Sequence, residues 1–202
     1  MSSSVRNVVF DMGMVLLNFQ PQEYCMKTVK DPKAAKAVYE NLFCGNEWVR
    51  VDAGTMTEAE CIASVQKKIP PYAEFVAPVM ADWPDSLSAM PGMEELVCRL
   101  KEKGYGLYLL SNTSLRFYQF SKDYPVFRCF DGKIVSASEK LMKPDPTIYQ
   151  LLCSRFQLLA KECLFIDDVQ ANVDAAGKTG MDAHRFQGAE ELRTFFTGIG
   201  LF

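Results

Sequence analysis

Two acidic groups follow buried, strand-like runs that lie far apart in the chain. The first run, residues 7–10, ends at Asp11, and the second, residues 163–166, ends at the pair Asp167 and Asp168. A carboxylate at the end of an apolar strand is unfavourable unless a cation or a metal ion balances it. The polar ends of parallel strands meet at one edge of a sheet, so the pattern predicts one shared acidic site, which favours an enzyme.

Two further polar residues are expected at the same edge. Ser111 ends the apolar run 105–110, and Lys143 lies in a loop directly before Pro144. Pro144 favours an extended backbone at Lys143, so the amine could reach across to the acids. Asp145 fits a helix N-cap or loop acid better than a catalytic group.

The charges of these residues indicate a class of chemistry. Three ionised carboxylates carry −3, and a phosphate monoester would add about two more negative charges. Such a cluster needs cations, and Mg²⁺ together with Lys143 would supply them, since Mg²⁺ prefers carboxylate and phosphate oxygens. The set favours phosphoryl transfer with Asp11 as a carboxylate nucleophile.

Composition excludes several other classes of protein. The 202 residues are 49% hydrophobic and 23% charged, with a net charge of −3. This predicts one compact core with room for an insertion, and it disfavours a nucleic-acid partner. No apolar run approaches the length of a membrane span, and the first residues lack a leader pattern, so we expect a cytoplasmic protein without a membrane partner. The sequence predicts no oligomeric state.

Cysteine and histidine usage narrows the chemistry further. Seven scattered cysteines form no Cys-x-x-Cys pair, which favours reduced thiols over disulfides or a zinc site. The single histidine, His184, rules out a His-rich metal site, and any Ser/His/Asp triad would have to use it. Its setting in residues 182–186 favours an ordinary histidine at a strand end.

Strand-like and helix-like segments alternate through most of the chain. The predicted strands are residues 5–10, 105–110, 133–137, 163–166 and 183–186, and the predicted helices are residues 93–103, 146–156 and 171–179. Continuous apolar strands separated by amphipathic helices indicate an α/β fold with a doubly wound parallel sheet covered on both faces.

Residues 21–88 interrupt this alternation with helical patterns alone. Thr57 and Glu60 form a capping box that opens one of these helices. We therefore predict a core formed by residues 1–18 and 89–202, with residues 19–88 as a helical cap inserted after the first strand.

Four motifs occur in an informative order: residues 8–15 (VVFDMGMV), residues 109–112 (LLSN), Lys143–Pro144, and residues 165–168 (FIDD) with Asn172 after them. In the identity and order of these motifs, the chain resembles the haloacid dehalogenase superfamily of phosphotransferases. The resemblance extends over nearly the whole chain. Within that superfamily it is similar to the bacterial α-D-glucose-1-phosphate phosphatase group, which shares all four motifs. The resemblance implies a Rossmann-like core, a helical cap and a Mg²⁺ cofactor.

The resemblance also implies roles for individual residues. Asp11 would attack phosphorus and become an aspartyl phosphate. Ser111, with the backbone of Asn112, would hold phosphate oxygens, while Lys143 would bridge the charges of Asp11 and phosphate. Asp167 would orient Lys143 or a water on the metal.

The metal ligands implied by the resemblance are Asp11, Asp168 and the backbone carbonyl of Gly13. Gly13 is also where the chain departs from most phosphatases of the superfamily, which carry a second aspartate there as general acid and base. Glycine cannot protonate a leaving group, so the acid is unassigned, with Asp167 and Glu47 as candidates. Sugar 1-phosphates, whose leaving group is better than a simple alkoxide, would lessen the need for it.

These features predict a Mg²⁺-dependent phosphatase of a small phosphorylated metabolite, most favourably a sugar phosphate. The segment 46–52, read as a polar loop, would contact the leaving group, with Trp48 as the aromatic contact or as part of the cap core. Two alternatives stay open. One is a metal-independent dehalogenase-type hydrolase, which the acid pair Asp167 and Asp168 opposes; the other is a binding or regulatory protein with a decayed site, which Gly13 alone supports.

Overall fold

The computed structural model describes residues 5–202, and its centre is a parallel β-sheet. The strands of the described chain are β1 (Asn7–Phe10), β2 (Leu17–Asn18), β3 (Ser88–Ala89), β4 (Gly106–Ser111), β5 (Gly132–Val135), β6 (Cys163–Asp167) and β7 (Asp182–Arg185). Five of them form the sheet in the order β5-β4-β1-β6-β7, with every neighbouring pair parallel. The two strands that flank β1 are therefore β4 and β6, which carry the other polar strand ends.

Helices lie before, between and after these strands. The α-helices are α1 (Pro21–Thr28), α2 (Pro32–Val38), α3 (Asn46–Asp52), α4 (Glu58–Lys68), α5 (Ala73–Asp82), α6 (Met93–Glu102), α7 (Phe117–Phe120), α8 (Ser136–Glu139), α9 (Pro146–Phe156), α10 (Gln170–Lys178) and α11 (Ala189–Gly198). A π-helical turn spans Tyr39–Phe43, and 3₁₀ turns span Pro70–Tyr72, Trp83–Ser86, Ser121–Asp123, Pro125–Cys129 and Ala160–Glu162.

Side chains of the central strand alternate between two cores. Val8 and Phe10 of β1 lie in a core with the apolar residues of α6 and α11, whereas Val9 lies in a second core with α9 and α10. Because successive side chains of a strand point to opposite faces, helices cover the sheet on both sides. The prediction of a doubly wound α/β fold is confirmed.

Residues 19–88, the predicted cap, consist of helices and turns up to β3. Strands β2 and β3 pair antiparallel, with Leu17 opposite Ala89 and Asn18 opposite Ser88. The points at which the chain enters and leaves residues 19–88 therefore lie side by side. The division into core and cap stays a prediction, and we use "cap segment" for residues 19–88.

One predicted strand is wrong at its end. The run 133–137 was expected to be strand throughout, but β5 ends at Val135, which pairs with Ser111, and the chain then turns into α8. The hydroxyl group of Ser136 accepts a hydrogen bond from the Thr113 backbone N–H at 2.8 Å. Beyond the last backbone pair of β4 and β5, the two segments are thus joined by a side-chain hydrogen bond, and the strand ends there.

Two capping interactions that the sequence predicts are present in the structure. The capping box of Thr57 and Glu60 is present, and the Asp145 side chain caps α9 through the Thr147 N–H. All seven cysteines, which lie within the described part of the chain, are free thiols. His184 lies in β7, stacked on Phe195. Within residues 5–202, no helix is long and apolar enough to cross a membrane.

Candidate active site

Three carboxylates converge at the carboxyl ends of β1 and β6. Asp11 directly follows β1, Asp167 is the last residue of β6, and Asp168 comes next. One carboxylate oxygen from each lies within 4.8 Å of the others. Asp11 and Asp167 are buried and Asp168 is half-buried, so the cluster opens to solvent on the Asp168 side.

The ammonium group of Lys143 lies between two of these acids. Its Nζ is 2.8 Å from Oδ1 of Asp11 and 2.6 Å from Oδ2 of Asp167, and its side chain is only 1% exposed. The Asn112 side chain holds the lysine backbone, since its Nδ2 donates to the Lys143 carbonyl and its Oδ1 accepts from the Lys143 N–H, both at 2.9 Å. Asn112, which follows the last residue of β4, thus fixes the cation beside the nucleophile candidate.

Asp167 is held by more partners than Lys143 alone. Asn172 in α10 donates from Nδ2 to both carboxylate oxygens at 3.0 and 3.1 Å, and the Val169 backbone N–H donates to Oδ1 at 2.8 Å. These donors fix the orientation of the carboxylate, and its Oδ2 in turn accepts from the ammonium group of Lys143 at 2.6 Å. Asp167 is therefore suited to hold Lys143 in place.

Two of the acids sit in surroundings that disfavour their charge. Burial raises the pKa of Asp11 to about 6, and the charge of Asp167 adds to this, while Lys143 opposes it. Burial and the neighbouring Asp167 also raise the pKa of Asp168. A dication would relieve both effects, and the available donors are hard oxygens of the kind that Mg²⁺ prefers.

Gly13 leaves open space two residues after Asp11. A Cβ atom added to Gly13 would meet no heavy atom within 4 Å, and its φ angle is not in the left-handed region. Neither sterics nor backbone conformation therefore demands glycine here. The site therefore has no side chain at this position, although a Cβ atom would fit there.

The segment 46–52 is helix α3, so its reading as a loop is wrong. A seven-residue helix with Gly45 at its N-cap and only Glu47 and Val51 buried gives little periodic signal. Glu47 bonds to Ser64 at 2.8 Å and to Lys68, and the hydrogen bond from Lys68 holds its pKa below the usual value. Glu47 is therefore an ionised partner of Lys68 and a poor candidate for the missing acid.

Trp48 belongs to an aromatic cluster in the cap segment. Its ring lies 4.7 Å from Phe43, 5.3 Å from Trp83 and 6.3 Å from Phe19, measured between ring centroids. These contacts match the expectation of cap packing. The role of Trp48 in contacting a leaving group stays a prediction.

Asp52, at the last position of α3, faces the loop that follows β4. Burial raises the pKa of its carboxyl group to about 8, and the neighbouring Ser114 backbone and Trp48 indole oppose this shift only in part. The carbonyl oxygen of Asp52 accepts the hydroxyl of Ser136. Sequence reasoning missed Ser114 and Ser136 here, because nothing local to either residue predicts a partner in the cap segment.

Replacing Asp52 with Asn should stabilise the protein at alkaline pH. In the unfolded chain the pKa of Asp52 is near 3.8, so the folded protein, with a pKa of about 8, binds its proton more tightly. The contribution to stability is fully present below about pH 4 and is lost as the pH rises towards 8. Asn avoids this loss, and Tm should rise by about 2–4 °C at pH 8, allowing for the partial exposure of the group.

The check is thermal melting of wild type and Asp52→Asn between pH 4 and pH 8.5. The increase in Tm for Asp52→Asn should become smaller towards pH 4. Replacing the exposed Asp123 with Asn is the control, and its Tm should follow the same pH dependence as that of wild type. A gain for Asp52→Asn that does not change with pH would contradict the assigned protonation.

The four motifs that meet at this site are matched by a family model. It spans residues 5–180 and describes a haloacid dehalogenase-like hydrolase. The chain belongs to this family of hydrolases. Most of the five-stranded sheet, the cap segment and all of the clustered acids fall within the matched residues.

Two curated relatives differ in what they act on. The chain is 25% identical over 182 residues to a sesquiterpene phosphatase from Aspergillus oryzae, covering 90% of this chain and 89% of the relative. It is 33% identical over 100 residues to an (S)-2-haloacid dehalogenase from Burkholderia cepacia, covering 49% of this chain and 43% of the relative. The names of these two relatives thus cover a phosphatase and a dehalogenase, the two enzyme chemistries that the sequence left open.

A solved structure supports the fold. A HAD family enzyme from Bacteroides thetaiotaomicron, in complex with magnesium and inorganic phosphate, superposes with a TM-score of 0.74 and 23% identity, covering 95% of this chain and 99% of that one. At this identity the likeness establishes the shared architecture alone.

Proposed function

We propose that this hydrolase is a Mg²⁺-dependent phosphatase of a small phosphorylated metabolite that acts through an aspartyl phosphate. The observation that carries the proposal is the contact of Asp11 with Lys143 inside a cluster of three carboxylates. Three acids and one ammonium group leave an excess of negative charge, which a phosphate ester would increase. Such a site needs a dication to accept its substrate.

In the proposed reaction an oxygen of Asp11 attacks phosphorus, and the leaving group departs from the opposite side. Ser111 and the backbone of Asn112 bind phosphate oxygens. Lys143 neutralises charge on Asp11 and phosphate, and Asp167 keeps its ammonium group in place. Water then cleaves the aspartyl phosphate and restores Asp11.

Asp11, Asp168 and the Gly13 carbonyl would hold the metal ion, which supplies electrostatic stabilisation of the transferring phosphoryl group. The set of hard oxygen donors and the raised pKa values of Asp11 and Asp168 support this assignment. Two of the three carboxylates, those of Asp11 and Asp168, would then face the metal, while the third, Asp167, faces Lys143.

We infer further that the substrate has a leaving group that departs without strong acid assistance, such as a sugar 1-phosphate and glucose 1-phosphate in particular. Gly13 offers no proton, and both other candidates, Asp167 and Glu47, are engaged in ion pairs. The exposed apolar side chains of Met14 and Val169, next to Gly13 and Asp168, also make apolar phosphate esters worth including in any substrate panel.

A dehalogenase reaction is the competing function, and the partial likeness to a haloacid dehalogenase favours it. Such an enzyme would use Asp11 to displace a halide from carbon and would need no metal ion. The half-buried Asp168, whose raised pKa calls for a nearby cation, has no evident role in that reaction.

Activity should require a divalent cation. Wild-type protein assayed for phosphate release on glucose 1-phosphate, glucose 6-phosphate, phenyl phosphate and a prenyl phosphate should lose turnover by about 10²-fold or more in excess EDTA. Adding Mg²⁺ beyond the chelator should restore it.

The same protein should be tested in parallel for halide release from 2-chloropropionate. Undiminished turnover of phosphate esters in EDTA would overturn the metal-dependent mechanism. Metal-independent halide release without phosphate release would establish the dehalogenase function in its place.

A further inference from the structure

The loop that follows Ser111 and Asn112 is bonded to the cap segment at several points. The Thr113 N–H donates to Ser136 Oγ at 2.8 Å, and the Ser136 hydroxyl donates to the carbonyl of Asp52. The end of α3 is thus connected, through the hydroxyl group of Ser136, to the segment that carries the proposed phosphate ligands.

Arg116, in the same loop, reaches two other cap helices. Its Nε and Nη2 donate to the two carboxylate oxygens of Glu58, each at 2.7 Å, and its Nη1 donates to the carbonyl of Ala81. Glu58 is the first residue of α4, and Ala81 lies in the last turn of α5. The guanidinium group of one core residue therefore spans two helices of the cap segment in a bidentate geometry, which is the strongest form of such a pair.

The other end of the loop leads to the reacting groups. Asn112 holds the Lys143 backbone through two hydrogen bonds, and Lys143 contacts Asp11 and Asp167. Contacts therefore run without a gap from the cap segment, through residues 113–116, to the ammonium group beside the proposed nucleophile. We therefore expect a shift of the cap segment to change the positions of Asn112 and Lys143.

We propose that Glu58 and Arg116 form a latch that holds the cap segment over the site and keeps the 111–116 loop in its catalytic position. Both are positioning residues, since neither contacts the reacting groups, and the proposal rests on the proposed function in taking this site as catalytic. The pair is partly exposed to solvent, since the side chains of Arg116 and Glu58 are 24% and 28% exposed. Its opening would admit substrate, and its closing would complete the site.

The test compares Glu58→Gln, Arg116→Gln and the double variant with a matched control. Glu139 and Arg155 form a second bidentate pair, at 2.5 and 2.7 Å, between α8 and α9 of the core, so Glu139→Gln removes a similar ion pair that does not join the cap segment. Thermal melting confirms that each variant is folded. The measurements are steady-state kinetics and amide hydrogen exchange over residues 113–116.

Each latch variant should raise KM by about 5- to 20-fold with a smaller change in kcat, and amide exchange at residues 113–116 should rise by a similar factor. The double variant should show no higher KM and no faster exchange than the more affected single variant, because both substitutions break the same ion pair. The Glu139→Gln control should match wild type in both measurements.

Exchange at residues 113–116 that stays within twofold of the control in both single variants would overturn the latch, as would an unchanged KM. Additive losses in the double variant would do the same. Exchange is measured on the free protein, so it decides the latch even if no phosphate ester proves to be a substrate. The absence of any phosphate-ester substrate would count against the proposed function and not against the latch.

Discussion

Asp11→Asn should reduce phosphate release by about 10³-fold or more while leaving the protein folded. Asn has nearly the same shape as Asp, but its amide is a very poor nucleophile and cannot form an aspartyl phosphate. The fold should survive, since burial already raises the pKa of Asp11 to about 6 and the ionised group is therefore held at a cost to stability. We expect Tm to stay the same or rise slightly.

The measurement is a steady-state assay under saturating Mg²⁺, with Tm as the check on folding. Asp174→Asn, which alters an exposed carboxylate on α10, serves as a control and should retain wild-type turnover. Activity of Asp11→Asn within tenfold of wild type would exclude Asp11 as the nucleophile.

Gly13→Asp should accelerate the hydrolysis of esters with poor leaving groups. The backbone accepts a side chain here, because a Cβ at this position would meet nothing within 4 Å and the φ angle is not left-handed. A carboxyl group two residues after Asp11 could protonate a departing alkoxide, a contribution worth about 10²-fold. We expect that gain on glucose 6-phosphate and little gain on phenyl phosphate.

Gly13→Asn is the matched control, because it has the same size and cannot act as an acid of comparable strength. Wild type should show a steep dependence of rate on leaving-group pKa, and Gly13→Asp should flatten it while Gly13→Asn does not. Equal behaviour of the Asp and Asn variants, or a flat dependence in wild type with chemistry rate-limiting, would show that another group supplies the proton.

The sequence predicted most of the sheet and the acid cluster because the determining signals are local. Asp11 and Asp167 each end an apolar run, and parallel strands bring such ends together whatever the rest of the chain does. Lys143 was located by Pro144, which restricts the backbone beside it. Three of these residues could thus be assigned to one site before any contact was known.

The contacts between the cap segment and the core could not be predicted in this way. Arg116 and Glu58 are 58 positions apart, and each has the composition of an ordinary surface charge. Ser136 was assigned to a strand because its neighbours are apolar, although its hydroxyl group binds Thr113 and Asp52. Helix α3 was read as a loop because its stability comes from packing against the rest of the cap segment and core, which no short-range pattern records.

Covalent catalysis by Asp11 can be tested by trapping the aspartyl phosphate. Wild-type protein with Mg²⁺ is mixed with a substrate identified in the panel, quenched in acid within the first turnover, digested, and analysed by mass spectrometry for phosphorylated peptides. We expect phosphate on the carboxylate of Asp11 in wild type and none on position 11 in Asp11→Asn. Rapid turnover with phosphate on no residue, or on a residue other than Asp11, would contradict it.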